Sequence, residues 1–300
     1  MPADPPPQTV AFVGLGALGE PASRALHRAG FRLALFDRDA ARVARLAAEY
    51  GVATDTPVAQ CALVVTALPD GDAVRAFALG APLARGALLV DMGSCDPEGT
   101  RALGALLAAR GVAMVDAPVS GGVRGAREAN LVFMVGGAPA DRARARPLLQ
   151  AMGRQVFELG PLGAGHALKC LNNYVAAAGY AAACEALLAG RRYGLEPQAM
   201  LDAINASSGR SYNTEGKFAQ HVLTRTWGSG FSLGMMAKDL RIMRALAAHT
   251  QVPFTLGEAC LSLWESAERA VGADADHTEY VRPLEAAAGV RLAPDRPPGD

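Results

Sequence analysis

A lysine and two asparagines break a run of small residues in "GAGHALKCLNNYVAAAGYAAACEALLAG", at Lys169, Asn172 and Asn173. Only three of the 29 basic residues are lysine (Lys169, Lys217 and Lys238). Arginine keeps its proton at any working pH, whereas a lysine withdrawn from water can release one and serve as an acid or base. The stretch reads as a helix, which puts Lys169 and Asn173 at i and i+4 on one face, with Asn172 bordering it. An amine and an amide side by side suit proton transfer at an oxygen that the amide orients. The plainer alternative is a lysine whose stem packs while its ammonium reaches solvent.

A second constellation lies near the start of the chain. "VAFVGLGALGEPASRAL" places Gly14, Gly16 and Gly19 in G-x-G-x-x-G spacing, after a hydrophobic strand and at the opening of a helix. Gly14 permits a tight turn, Gly16 lets backbone approach a pyrophosphate, and Gly19 allows close packing of helix on strand. Leu15, Ala17 and Leu18 complete the loop, and the helix start offers N–H groups and positive dipole to an anion. Asp37 follows Gly19 by 18 residues in "LFDRD", near the spacing of an acid that accepts from ribose hydroxyls. Arg38 could instead draw a 2′-phosphate, but Asp37 and Asp39 flank it with negative charge. The reading favours NAD and leaves NADP possible.

These residues need elements to position them. "TVAFVGLG", "RLALFD", "ALVVTALP", "ALLVDMG" and "AMVDAPVS" read as strands with little polar alternation, as expected when both sheet faces are covered. Helical patterns lie between them at about 17–29, 39–50, 70–79 and 96–110. The alternation implies a doubly wound α/β domain with a mostly parallel sheet, to which "LVFMVGG" and "RQVFEL" add strands around a further helix. Past Gly165 the strand signal stops, and helices are expected at about 166–192, 196–207, 212–224, 232–249, 254–271 and 276–288. The chain thus divides into a nucleotide-binding domain, 9–165, and an all-helical domain, 166–290, joined by a long first helix. "MPADPPPQ" and "RLAPDRPPGD" read as disordered tails, 1–8 and 291–300.

Composition bounds the partners. A net charge of zero gives no footprint for nucleic acid or an anionic membrane, and no apolar run is long enough to span a bilayer. The five scattered cysteines form no CxxC pair, which argues for a reducing compartment. With no signal or transit pattern, a cytoplasmic location is expected. The histidines show no metal-ligand spacing, so no metal is expected.

With "GLGALGEPASRALHRAGF", "DAPVSGGVRGA", "GAGHALKCLNN" and "MMAKDL" in matching order over about residues 9–290, the chain resembles the β-hydroxyacid dehydrogenases. This family includes 3-hydroxyisobutyrate dehydrogenase and tartronate semialdehyde reductase. The resemblance implies a Rossmann domain and a helical substrate and oligomerisation domain sharing a long helix. It also implies a homodimer or homotetramer that transfers hydride between NAD(P) and a small β-hydroxyacid or its semialdehyde. It implies that Ser120, Gly121 and Gly122 hold a substrate carboxylate, that Lys169 is catalytic, and that Asn173 sits beside the substrate hydroxyl with Asn172 adjoining. Leu68 and Pro69 are implied to border the cofactor, Ser94 to lie near the nicotinamide, and Lys238 to reach both cofactor and substrate. For Lys238 and Asp239 the plainer reading is an exposed charged pair. Departures are Gly93 in "DMGSC", where the family often has D-x-S-T, and Ala129-Asn130, where Gly-Thr is common.

The resemblance also defines what the lysine must do, since the hydroxyl proton has to leave as C–H breaks. An amine whose pKa is pulled below the free value of about 10.4 can take it near neutrality. Asn172 stands where 6-phosphogluconate dehydrogenases have histidine, and Lys169 where imine reductases usually lack lysine. A catalytically silent scaffold or nucleotide sensor is the alternative from another class.

Overall fold

The structure is a computed structural model that describes residues 9–293. Both expected tails lie outside that range apart from residues 291–293. These three belong to the folded chain: Leu292 is fully buried and its N–H donates to Glu285 Oε1 at 2.9 Å, so the tail reading is corrected there.

Among the described residues, the first unit is built on eight strands. Five short ones, β1 (Val10–Val13), β2 (Leu33–Phe36), β3 (Leu63–Thr66), β4 (Leu88–Asp91) and β5 (Ala113–Asp116), pair in parallel in the order β2-β1-β3-β4-β5. Successive strand residues point to opposite sheet faces, and here both faces carry a core. Val10, Phe12, Leu88 and Val90 join one, while Ala11, Val13 and Leu89 join the other. That arrangement explains strands with almost no polar residues.

The far side of the sheet departs from the parallel pattern. β7 (Leu131–Gly136) runs antiparallel to β5 and to the two-residue β6 (Val119–Ser120), and β8 (Gly153–Gly160) runs parallel to β7. β8 is largely exposed, and Arg154, Gln155 and Glu158 give its edge a polar character that discourages further strand pairing.

The covering helices are α1 (Gly19–Arg28), α2 (Ala40–Tyr50), α3 (Gly71–Gly80), α4 (Pro97–Ala109), α5 (Gly122–Arg127) and α6 (Pro139–Met152). Asp39, Asp70 and Asp96 cap α2, α3 and α4 by accepting from backbone N–H three residues on. Each such cap is worth about 1 kcal/mol.

Compact packing divides the chain at Lys169/Cys170 rather than at 165/166, so the division falls within α7 (Ala164–Tyr193). The second unit comprises the rest of α7, α8 (Pro197–Asn205), a π-helix (Asn213–Val222), α9 (Leu233–His249), α10 (Thr255–Val271), a 3-10 turn (His277–Tyr280) and α11 (Val281–Ala288). Its core centres on Tyr180, Phe218, Trp264 and Tyr280, with Tyr180 stacked on Phe218 at 4.8 Å. The segment expected as one helix over 276–288 changes type at Val281. Pro283 has no N–H to donate, and starting α11 at Val281 puts it in the first turn, where none is needed. Asp276 and Glu279 form a capping box ahead of it.

His277 sits in this core. Burial, aided by Lys217, holds its imidazole down at about 4, against an opposing pull from Asp276. Its folded pKa lies below the unfolded value of about 6.5, so the stability it contributes is complete above that value and declines as pH falls towards 4. Unfolding midpoints measured across this window should fall with pH, and His277→Gln should flatten the decline.

Candidate active site

The strand register brings the predicted cofactor residues that follow β1, β2, β3 and β4 to one edge of the first unit, whereas Lys238 belongs to the second unit. Val13 is level with Phe36 and Thr66, and Thr66 with Asp91, so Gly14, Asp37, Ala67 and Met92 all leave the sheet at the carboxyl ends of parallel strands. Between β1 and β3 the chain reverses its direction of travel across the sheet. Ligands of open α/β sheets bind outside the carboxyl ends at such a point.

At that crevice the glycines have separate roles. Gly14 has φ +90°, and a Cβ there would stand 2.5 Å from Ala67 O; one at Gly19 would stand 1.9 Å from Gly14 O. Both are needed for backbone to pack on backbone. A Cβ at Gly16 would meet nothing within 4 Å, so this side of the turn is an open cradle. Leu18, at the N-cap of α1, has a side chain with no acceptor to offer the helix start, whose N–H groups and positive dipole suit an anion. These features fit a dinucleotide's pyrophosphate. Leu15 is buried, Ala17 exposed and Leu18 half-buried.

Asp37 is fixed by the same loop. Its Oδ2 accepts from Leu15 N–H at 2.6 Å and its Oδ1 from Asp39 N–H at 2.9 Å. Burial pushes its pKa up, but the two N–H groups with Arg42 and Arg38 outweigh it, and the net shift is downward. Arg38 itself is exposed. The guanidinium beside Asp37 is Arg42, 3.7 Å away and also 3.4 Å from Asp39. A cleft of about 370 Å³ next to the loop is lined by Gly16, Glu20, Arg24, Arg42 and Arg127, among others. Sequence reasoning missed Arg24 and Arg42, because arginines on helical faces give no signal that separates them from solvated charge.

Leu68 packs beside the glycine turn, with Cδ2 3.1 Å from where a Gly14 Cβ would be, and Pro69 is exposed. Ser94 is half-buried in a turn organised by Asp91. Ser120 lies on β6, with β5 and β7 between it and β4 in the sheet order. Gly121 and Gly122 follow with φ +112° and +58°, values that favour glycine, and both are exposed. A hydroxyl and two unobstructed glycine amides can donate to an anion.

The helix bearing Lys169 starts on a seat made by distant residues. Asp116, fully buried at the end of β5, accepts from Gly163 N–H and His166 N–H, each at 2.8 Å. It is an N-cap supplied from elsewhere in the chain. A Cβ at Gly165 would stand 2.2 Å from Met134 O, so this first turn lies directly on the sheet. Lys169 is half-buried one turn further on. Asp91, Cys95 and His166 also come together with potential ligand atoms within 4.8 Å, a grouping that sequence spacing did not show.

In the second unit Asn173 is buried and both ends of its amide are engaged. Nδ2 donates to Asp239 Oδ2 at 2.5 Å, and Oδ1 accepts from Asn172 Nδ2 at 3.1 Å. Asn172 is exposed. Asp239 is only 1% exposed, which overturns its reading as half of an exposed pair; Lys238 Nζ lies 3.6 Å from its Oδ1 and is half-buried. Asp239 is therefore a residue whose role the sequence understated.

Residues 9–160 match the family model for the NAD-binding domain of 6-phosphogluconate dehydrogenase. Residues 163–284 match the model described as NAD-binding of NADP-dependent 3-hydroxyisobutyrate dehydrogenase. A 3-hydroxyisobutyrate dehydrogenase of Pseudomonas aeruginosa is 35% identical over 282 residues, 89% of this chain and 94% of that protein. A 2-(hydroxymethyl)glutarate dehydrogenase of Eubacterium barkeri is 32% identical over 271 residues, 88% of this chain and 90% of that protein. Among solved structures, a Mycobacterium tuberculosis 3-hydroxyisobutyrate dehydrogenase with L-serine superposes with a TM-score of 0.83 at 32% identity. It covers 93% of this chain and 99% of that one.

Proposed function

The chain belongs to the β-hydroxyacid dehydrogenase family, and on that footing we propose that it oxidises a small β-hydroxyacid to its semialdehyde, or the reverse, with Lys169 as acid/base. The bound nicotinamide supplies the hydride acceptor or donor. The observation that carries the reading is the buried seat of α7, in which Asp116 holds the N–H groups of Gly163 and His166 one turn before the half-buried Lys169. In oxidation the neutral amine of Lys169 takes the hydroxyl proton; in reduction its ammonium returns it. Asn173 orients the reacting oxygen, and Asp239 holds that amide so that it cannot turn. Lys238 adds a positive charge beside Asp239.

The substrate is a carboxylate whose anion is held by Ser120 and the N–H groups of Gly121 and Gly122. The named substrates of two relatives, 3-hydroxyisobutyrate and 2-(hydroxymethyl)glutarate, both carry a hydroxymethyl group next to a carboxylate-bearing carbon. In this proposal the enzyme works in the cytoplasm as a homodimer or homotetramer. Among the described residues no helix is long and apolar enough to cross a membrane. Rates with a panel of β-hydroxyacids and semialdehydes test the class: turnover confined to substrates with the carboxylate supports it, and turnover of simple alcohols alone refutes it.

NAD is the preferred cofactor in this reading, because Asp37 meets the ribose hydroxyls and repels a 2′-phosphate, while Arg42 is already held by Asp37 and Asp39. Measured kcat/KM should favour NAD, and Asp37→Ser should narrow the preference. An NADP advantage in the unmodified enzyme would shift the credit to the arginines.

A further inference from the structure

We propose that His166 is a positioning residue that locks the turn bearing Ser94 to the first turn of α7 and so sets the place of Lys169. The proposal rests on Lys169 being the acid/base. His166 is 1% exposed and stands between two segments of the first unit. Its Nδ1 is 2.8 Å from Thr100 Oγ1 in the first turn of α4, and its Nε2 is 3.5 Å from Asp91 Oδ2 at the end of β4. Asp91 organises the turn that follows. Its Oδ1 accepts from Thr66 Oγ1 at 2.8 Å and Gly93 N–H at 3.1 Å, and its Oδ2 from Cys95 Sγ at 3.3 Å. Ser94 lies between the last two of these donors.

The two ring nitrogens hold differently. Nδ1 is hydrogen-bonded to the Thr100 hydroxyl, which also reaches Asp96 O at 3.0 Å, and lies 3.9 Å from Asp116 Oδ2. Among the described residues Nε2 has no hydrogen-bond partner; its 3.5 Å approach to Asp91 Oδ2 is an electrostatic contact between buried groups, which a low-dielectric site strengthens.

The backbone anchors do something different. Asp116 pins the start of α7 to β5 through Gly163 and His166 N–H. The imidazole adds the tie between that turn and the Ser94 turn. Lys169 follows His166 by three residues, on the same side of the helix and one turn along. Without the imidazole both turns can drift, and a misplacement of about 1 Å can cost on the order of 10²-fold in rate.

The test compares His166→Ala with His166→Gln, whose amide can donate to Asp91 and accept from Thr100 at once. His166→Ala should lower kcat by roughly 10- to 100-fold, with NAD affinity and substrate KM nearly unchanged. The deuterium isotope effect on kcat with substrate labelled at the carbinol carbon should rise, because hydride transfer becomes slower than product release. His166→Gln should recover most of the rate, and Thr100→Val, which removes only the hydroxyl, should lose part of it. If His166→Ala does not fold, the glutamine and valine variants decide the matter. The proposal falls if folded His166→Ala keeps kcat within about twofold of the unmodified enzyme. It falls equally if the glutamine variant is no better than alanine, or if the loss is only in thermal stability with the isotope effect unmoved. Lys169→Arg run alongside separates the failures. Full turnover in that variant would sink the acid/base reading. Its inactivity beside a fully active His166→Ala would sink this proposal alone.

Discussion

Lys169→Arg should bind NAD as the unmodified enzyme does and lose turnover by roughly 10²–10⁴-fold, the range for a lost general acid–base. The substitution retains a cation and much of the stem, but a guanidinium does not release its proton at working pH. Loss of rate without loss of cofactor affinity would thus separate proton transfer from mere charge. Lys169→Ala should be similarly inactive. The dependence on pH has a definite sign. Oxidation needs the neutral amine, so the oxidation rate should rise with pH through one ionisation; reduction needs the ammonium and should fall through it. Residual activity in both variants should lack that step. The cradle around Gly14, Gly16 and Gly19 is built by β1, β3 and α1, none of which carries Lys169, so cofactor titration is a sound control.

The second large effect lies in the substrate. Replacing its carboxylate by a neutral amide of the same shape should reduce kcat/KM by roughly 10- to 150-fold, because hydrogen bonds to a charged group are worth about 1.5–3 kcal/mol. Ser120 and the two glycine N–H groups can all donate, so the amide loses charge assistance at each and gains an NH₂ that neither glycine N–H can accept. Ser120→Ala should weaken the acid more than the amide, shrinking the difference between the two substrates. Equal rates for acid and amide would remove the anchor from this segment. The glycine conformations make a further substitution informative: Gly122 has φ +58° with open space around it, so alanine there tests the backbone conformation without a clash.

How much of this was legible in the chain depended on whether the partners were local. The glycine loop could be read because strand, turn and helix are contiguous. The Asp37 contact is set by pairing of β1 with β2, whose hydrophobic runs are unmistakable. The helical half was legible in outline from its periodicity, and Pro283 fixed a detail, the change of helix type, that periodicity alone missed. The antiparallel insertion of β7 was not legible, because a strand's direction is decided by how its connection returns to the sheet. Nor was the seat of α7. Asp116 is 50 residues from His166, and Asp239 is 66 from Asn173, so their carboxylates looked like ordinary charges until folding buried them. A buried carboxylate needs donors, and in each case the donors belong to residues that the family motifs had already marked. The glycines of "GAG" gained a reason as well: Gly163 takes φ +91° and Gly165 leaves no room for a side chain, which brings the helix down onto the sheet.

The most direct measurement of the central claim is the initial rate of NADH formation from 3-hydroxyisobutyrate and from serine, with unmodified enzyme and Lys169→Arg at matched, NAD-saturated concentrations. Turnover is expected with at least one of these β-hydroxyacids, with its near abolition in the variant and NAD binding intact. Comparable NADH formation by the two proteins would contradict it.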